Sequence, residues 1–296
     1  MNATIKSILE IIVNSGLATG VDVSRYNGEV DFDDAEFSRT LEVIDYCMVR
    51  ASSGRGDGTY YIDPALAKFY AELDEHPRII RDFYHYLSSQ SPWTAQYDIF
   101  MKAIDGLDFE WLTLDGEKIY NVKSSGFALS AYRFMNQLIK DFPDKRIKFY
   151  SNKYDYAEWF DFYYDFDQFS YHHAQYPWSK WEVESYRVPQ LLQTLKDIFG
   201  GTRGPNLPAS RSDYEMWQIG ANTGIGNELG FVADYLDVNV SRRPLEEFRT
   251  YSHLERRWTE SGGGVVSPEP SIILSNEELT ERVYKLWERI FPGQDF

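Results

Sequence analysis

The sequence predicts an α/β fold, an irregular TIM-like β/α barrel with a short C-terminal helical appendage. Three observations carry this. From Gly20 onward, short β-rich runs alternate with helical patterns, the arrangement of largely parallel strands. About eight candidate strands fall within some 220 residues, the size range of a β/α barrel. Several of these strands end in polar residues: Asp22 and Ser24, His85, Asp115 and Glu117, Gln175, Gln218, and Asp237 with Asn239. In a barrel the C-terminal strand ends converge on one face, where active sites sit. An open doubly wound sheet is the alternative, but no Gly-rich phosphate fingerprint follows the first strand.

In chain order, residues 3–14 read as a short amphipathic helix. Glu10 interrupts the apolar run Ile8-Leu9-Glu10-Ile11-Ile12-Val13, which argues against a signal sequence. The candidate strands are 20–24, 44–51, 79–86, 111–117, 147–151, 169–174, 215–219 and 235–240. Candidate helices lie at 64–73, 94–104, 126–140, 154–160 and 188–199. Gly200 to Pro208 is a loop by composition, and Ser261-Gly262-Gly263-Gly264 with Pro268 and Pro270 reads as a flexible linker. Beyond it, Ser275 is an N-cap, and Leu279, Val283, Leu286 and Ile290 keep helical spacing. The expected organisation is an N-terminal extension over 1–18, a barrel over 19–243, and a linker with a tail helix over 244–296. That helix is a candidate surface for a protein partner or for self-association.

A chain of 296 residues can bury one large core or two modest ones. Its net charge of −16 argues against nucleic acid, whose binding depends on phosphate neutralisation. The same charge gives no attraction to an anionic membrane, and no stretch approaches transmembrane length. The single Cys47, in an apolar stretch, reads as a buried small hydrophobe. Aromatic residues make up 17% of the chain, a supply that suits sugar stacking as well as core packing.

The central stretch is Trp111-Leu112-Thr113-Leu114-Asp115-Gly116-Glu117. In a strand, Asp115 and Glu117 project from the same side with Cα atoms roughly 6.5 Å apart. Carboxylates that close do not titrate independently, and one retains its proton near neutral pH. A protonated acid beside an ionised partner is what glycosidic bond cleavage requires. Asp-Gly between apolar runs is equally the signature of a type I′ hairpin turn. Spacing alone leaves both readings open.

The segment Gly20-Val21-Asp22-Val23-Ser24-Arg25-Tyr26-Asn27-Gly28 resembles the opening of glycoside hydrolase family 25, the Chalaropsis-type muramidases. The likeness continues through Val49-Arg50-Ala51-Ser52, Phe83-Tyr84-His85-Tyr86 and Leu114-Asp115-Gly116-Glu117. It extends to Phe149-Tyr150-Ser151-Asn152, Ala174-Gln175-Tyr176, Trp217-Gln218 and Leu236-Asp237-Val238-Asn239, in the family's order. The resemblance spans roughly residues 19–241 and favours the catalytic pair over the turn. It implies an irregular β/α barrel that hydrolyses the β-1,4 bond between N-acetylmuramic acid and N-acetylglucosamine of peptidoglycan glycan strands, without a cofactor. By the same resemblance Glu117 is the general acid, and Asp115 stabilises positive charge or orients the substrate's 2-acetamido group. Asp22 and Asp237 are further groove acids. The implied place of action is the extracellular cell wall, reached from a phage-encoded origin or by another export route. The rival class is a non-catalytic glycan-binding barrel within a larger assembly. Close carboxylates favour retention of configuration.

The chain departs from the family pattern at three places. Gly116 stands where a β-branched residue is usual, the segment between Trp181 and Ser212 is long, and no wall-binding repeat follows the barrel. Further candidates for substrate contact are His85, Tyr84, Tyr176, Gln175, Trp217 and Tyr171, chosen for their closeness to strand ends. For His85 a satisfied core position is the equal alternative. The aromatic run from Trp159 to Tyr171 is expected mainly to seal the barrel's outer layer. His172-His173 lacks a carboxylate or Cys at ligand spacing, so no metal site is expected.

Overall fold

The computed structural model describes residues 15–28, 41, 44–118, 121, 125–160, 164–166, 168–176, 193, 196–198, 203–220, 237–245 and 247–248. Nine strands form one sheet: β1 (Leu17–Val23), β2 (Tyr46–Gly54), β3 (Tyr60–Ile62), β4 (Ile80–Tyr86), β5 (Trp111–Asp115), β6 (Arg146–Asn152), β7 (Ser170–Ala174), β8 (Met216–Gly220) and β9 (Asp237–Pro244). Their order is β1-β9-β8-β7-β6-β5-β4-β2-β3, and an added β1–β2 pairing closes the barrel. The barrel strands run parallel except β9, which is antiparallel to both β8 and β1. Two details correct the sequence reading. β3, a short strand folded back on the end of β2, was not expected. Asp237 opens β9 rather than closing a parallel strand, and it reaches the active face because β9 runs the other way.

Alternate residues of a strand face opposite sides of the sheet, so each strand feeds one set into the barrel and one outward. The floor of the interior is packed by Ala18, Tyr46, Ile80, Trp111, Met216 and Phe248. Trp111 meets Phe248 edge-on at 4.6 Å between ring centroids, and Tyr46 lies 5.3 Å from Trp111. Above this floor sits a fully buried ion pair, Lys148 Nζ to Asp82 Oδ2 at 2.6 Å. Thr113 Oγ1 donates to Asp82 at 2.7 Å, Tyr46 OH donates to the same carboxylate, and the ammonium lies 4.5 Å from the Trp111 ring centroid. These contacts supply the hydrogen bonds a buried charge pair needs.

The outward set forms the larger core beneath the helices α1 (Arg25–Gly28), α2 (Leu66–Asp74), α3 (Trp93–Ile104), α4 (Ser125–Asp141) and α5 (Lys153–Trp159). α4 buries Phe127, Ala128, Ala131, Phe134, Met135 and Leu138, one stripe at helical spacing. α5 starts where the Asn152 side chain accepts from the backbone N–H groups of Tyr154 and Asp155. Trp159, Phe160, Phe166, Phe169 and Tyr171 are buried in this outer core, the sealing role expected of that run. Cys47 is buried and unpaired in it. The N-terminal helix over 3–14, the linker and the tail helix lie outside the described residues. So does most of the candidate helix 188–199, whose described residues 193 and 196–198 are helical.

Candidate active site

β5 lies between β4 and β6, parallel to both, so no hairpin turns at Asp115-Gly116. Nor is Gly116 among the described glycines with positive φ, which a type I′ turn demands. Instead the chain stays extended. Gly116 N donates to Tyr150 O at 2.9 Å and Ser151 Oγ donates to Gly116 O at 3.1 Å. Asp115 and Glu117 therefore face the same cavity, which measures about 650 Å³ at the C-terminal ends of the parallel strands. The Glu117 carbonyl accepts from Asn121 Nδ2 at 2.5 Å and from Tyr86 OH at 3.4 Å, which anchors the residue's backbone.

Five carboxylates line the cavity, and four of them, Asp22, Asp115, Glu117 and Asp237, lie close enough to act on one another, with Asp57 the fifth. Burial, then the negative fields of Asp155 and Asp22, push the Glu117 carboxyl up to about 7. Asp155 stands behind it, accepting from Asn152 Nδ2 at 2.7 Å and from the Lys118 N–H at 3.0 Å. Asp115 is likewise raised by burial and by Glu117, and its Oδ1 is buried without a hydrogen-bond partner among the described residues. The positive Arg50 opposes that rise. Asp22 and Asp237 sit opposite each other across the β1–β9 pairing. Burial raises both, and their shared hydrogen bond raises Asp237 while lowering Asp22. Asp22 Oδ2 also receives Gln218 Nε2 at 2.8 Å and Asn239 Nδ2 at 2.9 Å. Donors favour the charged form, so of the two Asp22 is the better stabilised as an anion.

The amides are themselves oriented. Gln218 Oε1 accepts from Tyr150 OH at 2.8 Å and Tyr176 OH at 3.0 Å, and Asn239 Oδ1 pairs with His172 Nε2 at 2.7 Å. With each carbonyl occupied, each amide turns its NH₂ toward Asp22.

Of the residues singled out from sequence, Asp22, Asp115, Glu117, Asp237, Tyr84 and Tyr176 line the cavity. His85, Tyr171, Gln175 and Trp217 do not, which corrects the sequence reading: His85, Tyr171 and Trp217 point outward from their strands, and Gln175 lies just past the end of β7. His85 is fully buried between Ser52 Oγ at 2.8 Å and Gln96 Oε1 at 3.2 Å, stacked on Phe134. Tyr171 donates to Ser151 O, and Trp217 Nε1 donates to Gln175 O at 2.6 Å. Gln175 Oε1 accepts from Asn206 N at 2.6 Å, tying down the loop at 203–208. Cavity residues the sequence reading gave no role include Arg50, Tyr86 and Tyr150. Tyr86 shares inward parity with Tyr84 on its own strand, the one signal the sequence offered; Arg50 and Tyr150 reach the cavity through register, opposite Tyr84 and Asp115 on neighbouring strands. His172 and His173 point to opposite faces of β7 and cannot ligate together.

A family model described as glycosyl hydrolases family 25 matches residues 21–193. The chain belongs to that family. It is a glycoside hydrolase of the lysozyme class, a peptidoglycan hydrolase. Among solved structures, a family 25 glycosyl hydrolase from Bacillus anthracis superposes with a TM-score of 0.57 at 16% identity, covering 79% of this chain and 93% of that one. The spore cortex lytic enzyme SleM of Clostridium perfringens gives 0.56 at 17%, covering 76% and 67%. A family 25 virulence factor of Streptococcus pneumoniae gives 0.55 at 18%, covering 83% and 96%. At these identities the likeness is one of fold. No curated protein matches the chain. In this family 25 enzyme the carboxylate groove lies at the strand ends where the barrel architecture places it.

Proposed function

We propose that this enzyme hydrolyses the β-1,4 bond between N-acetylmuramic acid and N-acetylglucosamine, with Glu117 as general acid. The observation that carries the assignment is the asymmetry of the pair. Glu117 feels only burial and negative neighbours, which push its carboxyl up to about 7 and keep a proton available near neutral pH; Asp115 is raised too, by burial and by Glu117, but it is the member of the pair whose rise Arg50 opposes. Glu117 protonates the leaving glycosidic oxygen. Asp115 balances positive charge developing at the anomeric carbon, or orients the 2-acetamido group as internal nucleophile, and the outcome is retention. Asp22, held by two amides, and Asp237 bind sugar hydroxyls beside them, with Tyr84 and Tyr176 along the walls. The cell wall, where lytic relatives of this family work, is the place of action.

Release of reducing ends from purified peptidoglycan tests this. Glu117→Gln should lower kcat by about 10³-fold, within the range of lost general acid catalysis, with little change in KM. New reducing ends on N-acetylmuramic acid support the reading. Activity that survives the substitution removes Glu117 from the role.

A further inference from the structure

One wall of the cavity is unlike the rest of this acidic chain. Arg55, Tyr61, Arg25, Tyr26 and Arg50 all line it. Guanidiniums and phenol rings alternate along it. Arg55 Cζ lies 4.3 Å from the Tyr61 ring centroid, and Arg25 Cζ lies 5.1 Å from that ring on its way to Tyr26 at 4.9 Å. Arg50 Cζ completes the ladder 5.0 Å from Tyr26. Three cations are thus held side by side by ring faces, each contact a cation–π pair.

Carboxylates account for little of this charge. Arg50 Nε pairs with Asp63 Oδ2 at 2.6 Å, but its Nη2 is buried without a partner among the described residues. Arg25 Nη2 donates to Tyr26 OH at 3.2 Å, and its Nε is also buried and unpartnered. Asp57 lines the cavity beside Arg55, which helps to lower its carboxyl, but the two form no ion pair among the described residues, and Asp57 Oδ1 is occupied by the Thr59 N–H at 2.9 Å and hydroxyl at 2.6 Å. Buried donors left unpaired cost free energy, and a fork of guanidiniums matches a carboxylate in two-point geometry. The four mutually coupled carboxyl groups of the same cavity, Asp22, Asp115, Glu117 and Asp237, repel such an anion, so the arginine wall is the part of the lining that attracts it.

Resting on the muramidase reading, we propose that the Arg25–Arg50–Arg55 wall is a subsite for the carboxylates borne on the C3 substituent of muramic acid. These are the free lactyl carboxylate, or those of the peptide stem attached there. The subsite seats the anionic substituent against the arginine wall and so places the neutral sugar backbone across Asp115 and Glu117. It makes the enzyme selective for charged glycan over glycan whose substituents are neutral.

Four glycan preparations test this: strands with intact stems, strands cleared of stems by an amidase so that only the lactyl carboxylate remains, and each of these with its carboxylates converted to neutral amides. The wild type should cleave carboxylate-bearing strands about fivefold faster or more than the amidated ones, the scale of one partly exposed ion pair. Arg25→Gln and Arg55→Gln should each pull that ratio toward one, and Arg55→Lys should retain part of it. Raising salt from 0.05 to 0.5 M should shrink the wild-type ratio, since exposed charges are screened within about 10 Å or less. A preference that survives on stem-free strands assigns the site to the lactyl carboxylate, and one confined to intact strands assigns it to the stem. Equal wild-type rates on charged and amidated strands overturn the subsite while leaving the muramidase standing. So does a ratio that neither Arg25→Gln nor Arg55→Gln moves. A folded wild type that cleaves no strand at all overturns the muramidase reading, and the subsite with it.

Discussion

At the scale of single residues, Glu117 sets two pH dependences. Its carboxyl is raised from 4.5 to about 7 by burial and by Asp155 and Asp22. In the proposed role of general acid it must be protonated, so kcat/KM should fall as pH rises through about 7, and Asp155→Asn should move that limb to lower pH by removing a repelling charge. The same shift acts on stability with a definite sign. A folded-state value above the unfolded one means the native state holds a proton the unfolded state releases, so stability is full below 4.5 and lost as pH rises through about 7. Glu117→Gln should therefore raise the melting temperature at pH 8, by roughly 1–2 kcal/mol of stability, and give little gain at pH 4. Thermal melts of both proteins at the two pH values check this. The residues that make this site were partly legible in the sequence. Asp115 and Glu117 share parity, so the spacing that suggested a pair also placed it. His85, Gln175 and Trp217 were chosen for nearness to strand ends, but each neighbours a residue that does face the cavity: Tyr84, Tyr176 and Gln218. One position along a strand reverses the face, and no motif of two or three residues reveals which face is inward.

At the scale of elements, β5 and β6 are fitted to one another through Gly116. A Cβ there would lie 2.5 Å from Phe149 Cζ and 2.8 Å from its Cε2, with Phe160 Cζ at 3.2 Å. Phe149 cannot retreat, because Phe160 and Phe166 lie 4.7 and 4.8 Å from it, centroid to centroid. The Phe149 ring occupies the volume that a β-branched residue would fill at Gly116, so the departure from the family pattern is compensated from the neighbouring strand. Gly116→Val should destabilise the protein by about 1–3 kcal/mol through overpacking, and should lower kcat by moving Glu117. Adding Phe149→Leu should recover part of both losses, which denaturant melts and turnover rates would measure. The elements themselves were largely readable from alternating hydrophobic runs. The hand of β9 was not, because a strand's direction depends on where the preceding residues carry the chain. β3 was missed because three residues offer too short a pattern.

At the scale of the whole molecule, the barrel is built in three storeys: an aromatic floor, a charged middle, and an acidic mouth. The middle storey joins β2, β4, β5 and β6 through Tyr46, Asp82, Thr113 and Lys148. Lys148→Met should cost about 3–5 kcal/mol, since it strands a buried carboxylate. The double substitution Lys148→Met with Asp82→Leu should cost less than the single one, as removing both charges also removes their desolvation. Chemical denaturation of the two variants compares them. The seam of the barrel has a further consequence, one that concerns synthesis. Asp22 lies on β1, yet the amides that fix its charge come from Gln218 and Asn239, 196 and 217 positions later. Contacts so distant in the chain form late and slowly. On the ribosome, the first strand must wait for β8 and β9 to emerge before its carboxylate has partners. The groove therefore comes into being only with the last strand of the barrel.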